Sequence, residues 1–204
     1  MLRSQKDSTF PLTLKTLIFS GFLYLSVIYS PLFLAAFLVV AFYFYFKPAF
    51  NSSQFYYSFL TLIVVSLISV SSSIPNTQYL IPVFGLLFFL LLGVKNLLFT
   101  SRRTIYYFFH SFLILAIFIF FFNSNKFSWF FSKYILLFFA VFALLREFFA
   151  FFLGEHSNKR KENIIALSWA FLTVQFVWLA GFLPFNYWAA AFFALLIVLL
   201  LEDF

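Results

Sequence analysis

From Leu32 to Phe46, from Leu80 to Val94 and from Tyr187 to Leu201 the chain carries no charged residue. Runs of this kind dominate the sequence: 65% of residues are hydrophobic and 9% charged, against roughly a quarter charged in soluble domains. A soluble fold built from them would expose large apolar patches, which monomers rarely tolerate. Lipid is the solvent that accepts such a surface, so the chain reads as an integral membrane protein.

A hydrocarbon core of about 30 Å takes roughly 20 helical residues to cross. Cut at its polar and turn-forming residues, the chain yields spans at about 12–29, 32–46, 55–73, 79–99, 105–122, 133–153, 164–182 and 186–201. Lipid forces helix on them, because every backbone N–H and C=O must be paired internally. Strands of a closed barrel would alternate polar and apolar residues, and Leu86–Leu92 and Phe118–Phe122 do not. The expected fold is all-α, a polytopic transmembrane bundle of about eight spans forming a single membrane domain over residues 1–204. The spans at 32–46 and 186–201 are short, and a broken or re-entrant segment at 32–46 is the alternative.

The breaks have local causes. Pro31 suits the first turn of the second span, and Lys47-Pro48 ends it. Pro75-Asn76 forms a turn, Gly154 sits where a left-handed C-cap falls, and Asn186 after Pro184 suits an N-cap. The basic residues then set orientation. With the N-terminus in the cytoplasm, Arg3, Lys6, Lys15, Lys47, Lys95, Arg102, Arg103, Arg146, Lys159, Arg160 and Lys161 lie inside, and only Lys126 and Lys133 outside. This follows the positive-inside rule. Merging the first two spans turns eleven against two into eight against five, a poorer fit. Tyr79, Trp129, Tyr134, Tyr187 and Trp188 fall at outer ends, and Tyr43, Tyr45, Tyr56, Tyr57, Tyr106 and Tyr107 at inner ends, as aromatic belts require. No small-residue cleavage pattern follows the first apolar stretch, so it reads as a retained helix.

The net charge of +7 is broken up by apolar spans and makes no continuous face for nucleic acid. Membrane lipids and other membrane proteins are the expected partners. The absence of cysteine excludes disulfides, thiolate nucleophiles and Cys-ligated metals. His110 and His156 do not stand at His-x-x-x-His spacing, and neither a Gly-x-Ser-x-Gly elbow nor a phosphate loop occurs. No catalytic residue, metal or cofactor is therefore expected. The 39 Phe residues fall on every face of every span and read as apolar filler.

One polar signal remains. Counted inward from the cytoplasmic ends at 1.5 Å per residue, Lys95 and Asn96 lie about 5–6 Å deep, His110 about 7 Å, Arg146 and Glu147 about 9–10 Å and Ser168 about 6 Å. Gln175 is deeper and shares a helix face with Ser168. These seven residues are the candidate polar layer in the inner leaflet. Arg146 would take an anionic group, and Glu147 or His110 would handle a proton, since intramembrane ionisable residues suggest function. The competing reading is snorkelling of long side chains to the interface. Ser58, Thr61, Ser69 and Ser72 on the third span, and Ala190 and Ala194 on the eighth, read as close-packing seams.

The stretch Ser168-Trp169, Gln175-Phe176-Val177-Trp178 and Phe182-Leu183-Pro184-Phe185 resembles the last hairpin of small uncharacterised polytopic bacterial membrane proteins. That resemblance implies a bacterial inner membrane and no assigned activity. The expected function is a non-enzymatic accessory, assembly or scaffold subunit. The alternative is a small transporter or lipid-handling protein using the polar layer.

Overall fold

The computed structural model describes residues 3–29, 31–47, 55–71, 77–123, 130–153 and 159–202. Among them are eight α-helices and no strand: α1 (Arg3–Ile28), α2 (Pro31–Phe46), α3 (Tyr56–Ser71), α4 (Thr77–Lys95), α5 (Arg102–Asn123), α6 (Phe130–Leu153), α7 (Lys159–Ala180) and α8 (Tyr187–Glu202). Among the described residues, four segments are long and apolar enough to cross a membrane: Phe10–Ile28, Arg102–Asn123, Ser132–Leu153 and Lys159–Ala180. Leu32–Phe46, Tyr56–Val70, Leu80–Lys95 and Tyr187–Glu202 are apolar but shorter.

Helix ends follow local chemistry. Pro31 is the first residue of α2, where its missing N–H costs nothing. Asn186 caps α8, its Oδ1 accepting the Ala189 N–H at 2.8 Å. Pro48, Pro75, Asn76, Gly154 and Ser72 lie outside the described residues. α4 stops at Lys95, short of the expected residue 99. Leu97 takes a φ of 59°, the Leu98 N–H reaches Gly93 O at 3.0 Å and the Leu97 N–H reaches Val94 O at 3.4 Å. These two bonds and one left-handed residue make a Schellman cap with Leu where Gly is usual. Leu97 is exposed, so it gains little packing in return for the strain. Leu97→Gly should therefore stabilise the fold by about 1 kcal/mol, read as a higher thermal midpoint in detergent. An unchanged or lower midpoint would count against a strained cap.

The chain forms two compact units, Met1–Phe109 and His110–Phe204. In the first, α1 packs on α2 and α4, and α3 packs on α4. Aromatic rings fill the seams. Phe19 of α1 stacks on Phe88 of α4 with centroids 4.1 Å apart, and tilts against Phe37 of α2 at 4.9 Å. Tyr45 stacks on Phe59 of α3 at 4.1 Å. Such pairs contribute about 0.5–1.5 kcal/mol beyond their area. At Gly85 a Cβ would run into the Ser20 side chain of α1, so the glycine sets how closely α1 and α4 approach. On α3, Ser58, Ser66 and Ser69 are buried. Ser66 and Ser69 return their hydroxyls to Leu62 O and Val65 O, while Ser58 lies 3.3 Å from the Tyr106 hydroxyl.

In the second unit α7 packs on both α6 and α8. The buried positions of α7 are Glu162, Ala166, Ala170, Thr173, Val177 and Ala180. Those of α8 are Ala190, Ala191, Ala194 and Val198. Small residues dominate both lists because, in lipid, helix association depends on close backbone approach. Phe occurs in both environments: Phe109 and Phe118 are buried, whereas Phe108, Phe112 and Phe139 are exposed.

Candidate functional site: a buried histidine–carboxyl pair

The buried face of α5 runs through Tyr106, His110, Leu113, Ile114, Phe118 and Phe121, spaced by three and four residues as one helical face requires. His110 is the polar member of that apolar face. The same rule operates on α8, where Ala190, Ala194 and Val198 are buried at intervals of four. The next position in the series is Glu202. Its side chain is fully buried, and its Oε1 lies 3.1 Å from His110 Nε2, whose side chain is also fully buried. One proton between the two atoms makes the hydrogen bond from either side: a ring N–H donates to the carboxylate, or a protonated carboxyl donates to the ring nitrogen.

α6 closes the site. The His110 ring stacks on Phe148 with centroids 4.7 Å apart and planes 27° from parallel. Phe148 in turn meets Phe152 at 4.4 Å. An apolar wall of this kind keeps water from competing for the hydrogen bond, which strengthens the contact. Glu202 Oε2 is also buried and has no hydrogen-bond partner among the described residues. The contact between an imidazole nitrogen and a carboxyl oxygen can exchange a proton.

Lys95 is buried at the end of α4. Its ammonium donates to Tyr45 O and lies 3.6 Å from the centroid of the Tyr45 ring. Tyr45 O is one of the four α2 carbonyls left without an intrahelical donor. Lys95 therefore caps the C-terminus of a neighbouring helix. Arg102 does the same for α4, its Nε–H donating to Val94 O at 3.0 Å. Asn96, the last residue before the left-handed turn, is half-buried and donates its N–H to Leu92 O at 2.9 Å.

The remaining polar-layer residues occupy other surroundings. Arg146 is exposed and Glu147 half-buried. Arg146 stands two residues before Phe148, about 200° round the helix, so its stem leaves α6 on the side away from the ring that His110 touches. Ser168 and Gln175 are exposed together on α7. The structure adds Glu202, one residue beyond the expected eighth span at 186–201. No family model, no curated protein and no solved structure matches this chain.

Proposed function

We propose that the protein is a multi-pass component of the bacterial inner membrane, crossing it eight times with both termini in the cytoplasm, and that it serves as a non-enzymatic accessory, assembly or scaffold subunit. One observation carries this reading: Lys95, Arg102 and His110 are occupied in holding helices to one another. Lys95 and Arg102 bind the carbonyl ends of α2 and α4, and His110 ties α5 to the end of α8. The helices otherwise present apolar side chains, such as Leu32, Val39, Leu136, Phe171 and Leu196, to lipid or to a partner. The 16 residues of α2 and of α8 rise about 24 Å, and the bilayer would thin around them. The second reading, a small transporter or lipid-handling protein, draws support from the His110–Glu202 pair, since a buried acid–base couple is a common element of proton relays.

The natural chain has no cysteine, so single cysteines test both parts of the proposal. An impermeant thiol reagent applied from outside should reach Asn76→Cys, Ser124→Cys and Phe185→Cys and should miss Asn51→Cys and Ser157→Cys. External labelling at Ser157→Cys would overturn the orientation. A benzophenone maleimide placed at Leu136→Cys and Leu196→Cys in native membranes should give one discrete protein adduct from at least one site. Lipid adducts alone at both positions, together with proton-coupled solute uptake by proteoliposomes, would overturn the scaffold role in favour of transport.

A further inference from the structure

Residues 1–109 contain seven basic side chains, Arg3, Lys6, Lys15, Lys47, Lys95, Arg102 and Arg103, and a single carboxylate, Asp7. Three of these lysines, from three different stretches of chain, gather at the C-terminus of α2. Lys95 of α4 donates to Tyr45 O, and Lys15 of α1 donates to Lys47 O at 3.3 Å. Those two carbonyls are two residues apart, which holds the two ammonium groups close together. Lys47 turns back along α2, with its ammonium on the Tyr43 hydroxyl and 4.9 Å from the centre of that ring. The carbonyl ends of a helix offset only about half a unit charge, and among the described residues the charged groups acting on Lys15 and Lys95 include no carboxylate. The surplus of positive charge would attract an anion.

We propose that this end of the first unit binds the phosphate group of an anionic phospholipid. Lys47 is exposed and Lys15 half-buried, so their ammonium groups reach the phosphate oxygens. Lys95 is buried behind them and adds charge without contact. An exposed apolar side chain, Val39, lies deeper on α2 on the face of Tyr43, four residues away, where an acyl chain would run. Tyr43, exposed beside Lys47, suits the headgroup boundary, where aromatic rings collect. A soluble phosphate ester would meet the lysines but leave the apolar flank unused, which favours the lipid. The inference needs the chain to sit in a bilayer and does not depend on the scaffold role.

The test uses the purified full chain in dodecyl maltoside, titrated with short-chain phosphatidylglycerol or phosphatidylcholine and read by native mass spectrometry. Phosphatidylglycerol should bind at least about tenfold more tightly, as expected for several lysines near one phosphate. Lys47→Gln and Lys15→Gln should each weaken it about fivefold, Lys47→Arg should restore it, and Lys133→Gln, which removes the same charge from α6, should leave it unchanged. Thermal midpoints of each variant separate lost binding from lost fold, and Lys47→Arg keeps the charge where Lys47→Gln unfolds. Equal binding of the two lipids, or an equal loss from Lys133→Gln, would overturn the site. Displacement by millimolar inorganic phosphate without lipid preference would assign it to a soluble ester and overturn the lipid.

Discussion

His110→Leu is expected to destabilise the second unit by about 3 kcal/mol, the cost of leaving one half of a buried pair without its partner. The loss falls on Glu202. Its Oε1 loses the contact at 3.1 Å, and its Oε2 already has no partner among the described residues. A carboxyl group would then be buried with neither oxygen bonded. Glu202→Leu should cost less, about 1–2 kcal/mol, because it removes the carboxyl group from the buried site instead of stranding it there. The double variant His110→Leu/Glu202→Leu should lie within about 1 kcal/mol of the natural chain, since apolar groups of similar size replace a buried polar pair at little cost. Unfolding in mixed micelles would supply the three differences, and the cycle isolates the coupling between the side chains. If the double variant lost the sum of the two single losses, the residues would not be coupled and the pair would not hold α5 to α8.

The eight helices were legible because each apolar run ends at a residue whose chemistry stops a helix, as Pro31 and Asn186 show. Helix ends were less legible where hydropathy and helix formation part company. α7 begins at Lys159, before its apolar stretch, because Lys-Arg-Lys-Glu forms helix well in water and only then enters the apolar part. α1 likewise begins at Arg3. α4 ends early because Leu97 adopts a conformation that its side chain disfavours, which no propensity argument foresees.

The candidate site was half legible for a related reason. Rise per residue gives depth, and depth singled out His110 and Lys95. Depth says nothing about azimuth, and Arg146 reaches a similar level on an exposed part of α6. Glu202 was missed because the eighth span was closed at residue 201, where the apolar run ends. The spacing of Ala190, Ala194 and Val198 continues to residue 202, and extending that stripe by one step would have placed the carboxyl group on the buried face. The partner of Lys95 was not legible at all, because it is a backbone carbonyl and a carbonyl leaves no mark in the sequence.

That carbonyl makes Lys95→Met the second variant with a large expected effect. Methionine fits the apolar stem of lysine and, were Lys95 only reaching for the interface, would cost nothing or stabilise a buried position. In this structure the ammonium donates to Tyr45 O and sits over the Tyr45 ring. A hydrogen bond from a charged donor contributes about 1.5–3 kcal/mol, and a desolvated cation–π contact about 2 kcal/mol. The two share one ammonium whose burial opposes them, so a net loss of about 3 kcal/mol is expected for Lys95→Met. The loss should be local as well as large. Without its cap the last turn of α2 has one more orphan carbonyl, and amide exchange at Tyr45, Phe46 and Lys47 should rise more than exchange in α6 or α7. Lys95→Arg retains the charge and the ring contact and should keep more than half of the stability, with its bulkier head accounting for the remainder. A Lys95→Met protein with an unchanged thermal midpoint and unchanged exchange in α2 would show that the lysine only reaches for the interface. Destabilisation without faster exchange at the end of α2 would place its effect elsewhere than in the cap.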